Sequence, residues 1–142
     1  MQTLVTFVFK FLAALPLAWL HKLGNLLGSL GFRVLSKDRR RVFENMKLAG
    51  LNPTDEAVKK VFRETAKGGL ELPVAFFRRP EEIENLFVSV NGWEHVQTAL
   101  SAGEGLLFIT PHIGSYDLAG RYISQQLPFP LTAMYKPPKI KA

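Results

Sequence analysis

Two residues suited to acid–base chemistry stand five positions apart in the segment "TPHIGSYD", namely His112 and Asp117. An imidazole can take a proton from a hydroxyl near neutral pH. A carboxylate bonded to one ring nitrogen orients the ring and leaves the other nitrogen free to accept that proton. The pair therefore predicts general-base activation of a hydroxyl, with His112 as the base and Asp117 as its orienting partner.

The spacing requires a turn between the two residues. On one continuous helix they would point about 140° apart, so the imidazole and the carboxylate would diverge. With His112 in a turn and Asp117 in the first turn of a following helix, the carboxylate can fold back onto the ring. Gly114 permits the sharp bend, and Ser115 is a candidate N-cap. The alternative is a structural histidine that bonds a carbonyl, with Asp117 only complementing the helix dipole.

The elements around this pair predict a βαβ unit at about 105–135. "GLLFIT" is an apolar run too short for a helix and predicts a buried strand, "GSYDLAGRYISQQL" predicts a helix, and "LTAMY" predicts a second strand. Such a unit is parallel and right-handed, and its site lies beyond the carboxyl ends of the strands. His112 and Lys136 both fall at those ends. We therefore predict the α/β fold class.

Upstream, the pattern predicts two helices and a short strand. The first helix follows the candidate cap Thr54, and Gly68 and Gly69 are expected to weaken or end it. "FVSV" predicts a strand, and "GWEHVQTALSAGEG" predicts a helix that ends at its glycines.

The first 20 residues are almost entirely apolar and predict attachment to a membrane. Lys10 is the only charge in this segment, which is about long enough to cross or embed in a bilayer. A secretory signal fits poorly, because no basic residue precedes the apolar region and no cleavage site follows it. A buried core helix remains the alternative.

Basic residues follow this segment and favour the cytoplasmic side of the membrane. They include the run Arg39, Arg40 and Arg41. Gly24, Gly28 and Gly31 permit close packing of helices, although glycines tolerated in a frayed interfacial helix are an equal alternative. We place a membrane-anchoring and interfacial region at 1–35 and an α/β domain at 36–142.

Composition excludes several kinds of site. The net charge is +6 and cysteine is absent, which removes disulfides, thiol nucleophiles and thiolate metal sites. Three histidines make a histidine metal cluster improbable. The positive charge suits anionic lipids or acidic proteins. No zinc-finger spacing, RNP-like strand or basic zipper region indicates nucleic-acid binding.

The segment "TPHIGSYDLAG" resembles the H-x-x-x-x-D motif of the glycerolipid-type acyltransferase superfamily. The resemblance is closer to the bacterial lipid A biosynthesis lauroyl (late) acyltransferases. It extends to "FLAALPLAWLHKLGNLLGSLGF", "RRRVFENMKLAGL", "VNGWEHVQTALSAGEGLLFIT" and "LTAMYKPPK", and so covers nearly the whole chain.

This resemblance implies transfer of a fatty acyl group from acyl carrier protein to a hydroxyl of a lipid A precursor. The acceptor would be the 3-hydroxyl of an acyl chain already on the disaccharide. The reaction implies no cofactor and no metal. The expected location is the bacterial inner membrane, with the catalytic part facing the cytoplasm. Residues 36–142 would then be the N-terminal portion of an α/β acyltransferase domain.

The resemblance also suggests substrate-binding residues. Lys136 and Lys139, beside Tyr135, would lie where a substrate phosphate or sugar carboxylate is held, and a solvated basic loop is the alternative. Arg121, one helical turn beyond Asp117, is a further candidate, and an exposed helical arginine is its plainer interpretation.

Members of this family are longer than this chain, so we expect a truncated product, a frameshifted reading frame or a fragment. We also expect that this chain does not transfer acyl groups when expressed alone. Two other functions stay open. One is a non-catalytic membrane-bound remnant that binds lipid or a partner enzyme. The other is a hydrolase that uses Ser115, although the segment lacks the G-x-S-x-G elbow of such enzymes.

Overall fold

The computed structural model describes residues 2–111 and 113–134, and all regular secondary structure in those residues is helical. Helices alone therefore position the candidate site. The seven helices are α1 (Gln2–Ala14), α2 (Leu17–Val34), α3 (Ser36–Leu48), α4 (Asp55–Phe77), α5 (Pro80–Glu84), α6 (Trp93–Ser101) and α7 (Tyr116–Gln126).

The predicted α/β fold class is wrong for the described residues. No strand forms at 87–90, 105–110 or 131–134, so there is no βαβ unit and no sheet. The helix predicted between the last two runs is confirmed as α7. A strand exists only when its N–H and C=O groups pair with a neighbouring strand.

The run at 105–110 illustrates why the strand prediction failed. Leu107 and Ile109 are 81% and 88% exposed, while Leu106 and Phe108, which alternate with them, are half-buried. This alternation has the two-residue period of a strand with one covered face. The local pattern is therefore that of a strand, but no described segment pairs with it.

Helix α4 begins where the sequence predicts. The Thr54 hydroxyl accepts a hydrogen bond from the Ala57 backbone N–H at 3.2 Å, so Thr54 is the N-cap. The helix does not end at Gly68 and Gly69, but continues to Phe77 through Pro73. Burial of Val74 against other helices stabilises the last turns despite the weak propensity of these residues.

Helices α2 and α4 pack with their backbones in close contact, and glycines make this possible. A Cβ atom placed on Gly28 would lie 2.5 Å from the Arg63 Cα and the Phe62 carbonyl oxygen. A Cβ atom on Gly24 would lie 2.9 Å from the Lys67 Cα. Close helix packing is therefore confirmed for Gly24 and Gly28, and α2 is a continuous helix at these glycines rather than a frayed one.

The N-terminal apolar segment is two helices with a sharp bend. α1 and α2 are inclined by 116° across the break at Leu15 and Pro16. The Arg78 guanidinium donates to the carbonyls of Ala13 and Leu15 at 2.8 and 2.6 Å and so holds the bend. Among the described helices, no single one is long and apolar enough to cross a membrane. The bent pair of α1 and α2 has the required length and composition only when the two helices are taken together.

A hydrophobic core cluster joins α2, α4, α5 and α7. Its buried members are Leu20, Val74, Ala75, Ile83 and Leu118. Two aromatic contacts then hold α7 in place, because Tyr122 stacks on Phe87 at 4.3 Å between ring centroids and meets the Trp93 ring edge-on at 6.5 Å. The helix that carries Asp117 is therefore anchored by its buried face.

Candidate functional site

The predicted site residues fall into two groups. His112, Lys136 and Lys139 lie outside the described residues. Asp117 and Arg121 lie on the first and second turns of α7. Asp117 is half-buried and lines a cleft, whereas Arg121 is exposed and does not line that cleft.

The turn before α7 has the backbone that the sequence predicts. Gly114 adopts a φ of +63°, which is the left-handed region that glycine enters without steric cost. Ser115 is the N-cap residue of α7, as predicted, but its side chain makes no capping hydrogen bond. The Ser115 hydroxyl instead donates to the Oε2 atom of Glu71.

Glu71 is a buried carboxylate that the sequence analysis missed. It is 6% exposed and lies on α4. Its Oε1 atom lies 2.6 Å from Nε2 of His21 on α2, so each carboxylate oxygen has a partner. A detectable signal was present in the sequence, because Glu71 is the one charge in the otherwise apolar run "GGLELPVAFF".

A cleft of about 890 Å³ lies between α4 and the turn before α7. Asp117 and Gly114 line one side of it, and Gly68 and Gly69 line the other. A Cβ atom on either of these two α4 glycines would meet no heavy atom within 4 Å, so their missing side chains leave space. The cleft is large enough to hold part of a lipid chain or a headgroup.

Two lysines of α4, Lys60 and Lys67, add positive charge to the cleft. The Lys67 ammonium donates to the Glu64 carboxylate at 2.9 Å, and this hydrogen bond lowers the pKa of Glu64 below its usual value. Lowering of the Glu64 pKa favours its ionised form beside Lys67. The cleft therefore combines apolar walls with charged groups.

Metal-binding side chains are not clustered in this part of the molecule. In residues 2–111 and 113–134, no three His, Cys, Asp or Glu side chains are grouped so that they could hold a metal ion.

Comparison with known families identifies the class of this protein. The family described as "Bacterial lipid A biosynthesis acyltransferase" matches residues 1–141. The chain belongs to this family, so it is an acyltransferase with a role in lipid A synthesis, and the resemblance noted above is confirmed. Comparisons with curated proteins and with solved structures give no match.

Proposed function

We propose that the segment at 112–117 is the catalytic motif of a transferase that moves a fatty acyl group from acyl carrier protein to a hydroxyl of a lipid A precursor. The main support for this proposal is the position of Asp117. It lies in the first turn of α7, three residues after Gly114 with its left-handed backbone, and it lines the cleft. That is the arrangement that lets a carboxylate fold back toward a base in the preceding turn.

In this mechanism the His112 imidazole takes the proton of the acceptor hydroxyl as its oxygen attacks the acyl carbonyl carbon. The carbonyl then re-forms, the bond from carbon to the carrier's sulfur breaks, and the imidazolium returns the proton to the departing thiolate. Asp117 holds the ring in one tautomer and stabilises its transient positive charge. All bonds that form or break between heavy atoms belong to the substrates, and His112 returns to its neutral form at the end of the cycle.

The cleft supports a substrate with both apolar and anionic parts. Gly68 and Gly69 leave room along α4, and Lys60 offers a positive charge there, whereas Lys67 is paired with Glu64. Lipid A precursors and acyl carrier proteins both present negative charge, which basic residues attract. Lys136, Lys139 and Arg121 remain proposed contacts for a phosphate, a sugar carboxylate or the acidic carrier.

Exposed apolar side chains on α1 support attachment to the cytoplasmic face of the inner membrane. Leu4, Phe7, Val8 and Phe11 recur at helical spacing and are exposed. Trp19 on α2 is 66% exposed. A stripe of this kind inserts its apolar side chains among lipid tails, and the nearby basic residues attract anionic headgroups.

Membrane attachment is tested by fractionation of cells that express the protein. The wild-type chain should stay with membranes in high salt, because apolar burial carries most of the affinity. Phe7→Glu combined with Phe11→Glu should shift the protein toward the soluble fraction. Leu48→Glu, on the 86% exposed side chain of Leu48 in α3, is the matched control and should not. Complete release of the wild-type chain by salt would contradict the proposal.

The catalytic assignment is tested by acyl transfer from acyl carrier protein in membranes that contain the full-length protein. His112→Ala should lower kcat by about 10²–10⁴-fold, the range of general-base contributions. Asp117→Asn should also lower kcat strongly, because the amide can stabilise the wrong tautomer of the His112 ring. The controls are His95→Ala, at an exposed histidine, and Asp55→Asn, at an exposed acid in the first turn of α4. Both should retain activity.

Wild-type transfer by the His112→Ala protein would overturn the assignment. Loss of acyl transfer by all four variants would point to general destabilisation rather than to a base. A full-length wild-type protein that binds lipid but transfers nothing would favour the non-catalytic alternative.

A further inference from the structure

Among the described residues, Glu71 is the buried charged side chain of the core. A carboxylate taken out of water is unfavourable unless hydrogen bonds replace its hydration. Here each oxygen meets a different part of the chain, since Oε1 contacts His21 Nε2 at 2.6 Å and Oε2 accepts from the Ser115 hydroxyl. The carboxylate thus links α2, α4 and the turn before α7.

Ser115 lies two residues before Asp117 and is exposed. As the N-cap residue of α7 it would ordinarily bond a backbone N–H of that helix, but its side chain makes no such bond. The Ser115 hydroxyl does not cap α7 but donates to the buried Glu71 carboxylate, and this hydrogen bond acts as a tether between α4 and α7. Gly114 beside it adds no side chain that could hold the turn.

We propose that Glu71 is a positioning residue for acyl transfer, which acts through the Ser115 hydroxyl to set the orientation of the first turn of α7 and hence of Asp117. His21 holds the other carboxylate oxygen and so fixes the rotamer of Glu71. The inference rests on the proposed function, because it assigns a role in orienting the carboxylate of the H-x-x-x-x-D motif.

The physical reason for a measurable effect is the sensitivity of proton transfer to geometry. Leu118 packs in one cluster with Val74 of α4, and Tyr122 stacks on Phe87, so apolar contacts hold the buried face of α7. Such contacts are non-directional, whereas the hydrogen bond at Ser115 also restricts how the start of the helix is oriented. Displacement of a catalytic group by about 1 Å can lower the rate by about 100-fold. Loss of the tether should therefore lower kcat more than it changes KM.

The test uses the full-length protein in membranes, with kcat and KM measured separately for acyl transfer from acyl carrier protein. Ser115→Ala should lower kcat by about 10- to 100-fold and leave KM within about 2-fold. Ser115→Thr keeps a hydroxyl and should recover most of the rate. Ser124→Ala is the matched control, because the Ser124 hydroxyl donates only within α7, to the Arg121 carbonyl. It should behave as wild type.

The buried partner is tested by Glu71→Gln, which keeps the shape of the side chain and one acceptor oxygen. It should lower kcat less than Glu71→Leu does. If Glu71 acts through Ser115, the Ser115→Ala/Glu71→Leu double variant should be no slower than Glu71→Leu alone. Should Glu71→Leu fail to accumulate, the Ser115 series still decides the question, since Ser115 is exposed.

Wild-type kcat for Ser115→Ala, a raised KM at unchanged kcat, or full additivity in the double variant would each overturn the positioning role. His112→Ala separates this failure from failure of the proposed function. An inactive His112→Ala protein beside a fully active Ser115→Ala protein removes only the positioning role, whereas an active His112→Ala protein removes both.

Discussion

Glycine serves different purposes in the α2–α4 interface and in the region of the cleft and α7. At Gly28 its lack of a side chain lets two backbones touch, because a Cβ atom would lie 2.5 Å from the opposite helix. At Gly114 it supplies a positive φ of +63° in open space. Gly68, Gly69 and Gly120 have neither a close neighbour nor a positive φ.

This difference separates the part of the molecule that holds the fold from the part that carries the motif. The α2–α4 interface is a direct contact of backbones around Gly24 and Gly28, with little freedom to adjust. The start of α7 is exposed at Ser115, where a polar contact to Glu71 joins it to α4 beside the buried Leu118. We therefore expect substitutions at the α2–α4 interface to change stability and those at the Ser115–Glu71 contact to change activity.

The largest loss of stability is expected for Gly28→Ala. The added methyl group would meet the Arg63 Cα and the Phe62 carbonyl oxygen, which are backbone atoms that cannot rotate away. The helices must separate, which should lower the free energy of unfolding by about 3 kcal/mol, the upper part of the usual range for overpacking. Thermal unfolding of the purified protein in detergent measures this, and an unchanged Tm would show that the interface is not tightly packed in solution.

A smaller loss is expected for Arg78→Met at the bend between α1 and α2. The change removes hydrogen bonds to the carbonyls of Ala13 and Leu15, and the half-buried position leaves them partly without partners. We expect a loss of about 1–2 kcal/mol. Arg40→Met is the control, because Arg40 forms only an exposed pair with Glu44 and should change stability by less than about 0.5 kcal/mol. Equal effects of the two changes would contradict the role of Arg78.

The smallest effect, with the opposite sign, is expected for Gly120→Ala in α7. This glycine is helical and a Cβ atom would meet nothing within 4 Å. Alanine should stabilise the helix by about 0.5–1 kcal/mol without altering acyl transfer. Because the substitution is the same as at Gly28, the pair isolates the effect of packing. A lower Tm for Gly120→Ala would mean that α7 is packed more tightly than the structure indicates.

Local signals in the sequence predicted much of the helical framework. Neighbouring residues were sufficient to predict the cap at Thr54, the helix Trp93–Ser101 and the start of α7 at Ser115. The continuation of α4 past Gly68 and Gly69 was not, because distant side chains stabilise its last turns. Strands were predicted wrongly at 105–110 and 131–134 for the same reason, since pairing depends on a partner that an apolar run does not specify.

The sequence by itself determined the family of the protein and the candidate acid–base pair, because a motif and its spacing are properties of the chain alone. Only the tertiary structure decided that Gly28 meets α4 and that Glu71 joins His21 to Ser115. These residues are 34 to 50 positions along the chain from their partners, and no local rule relates their side chains. Burial converts an ordinary glutamate into a tether, because a carboxylate removed from water must find its hydrogen bonds within the protein.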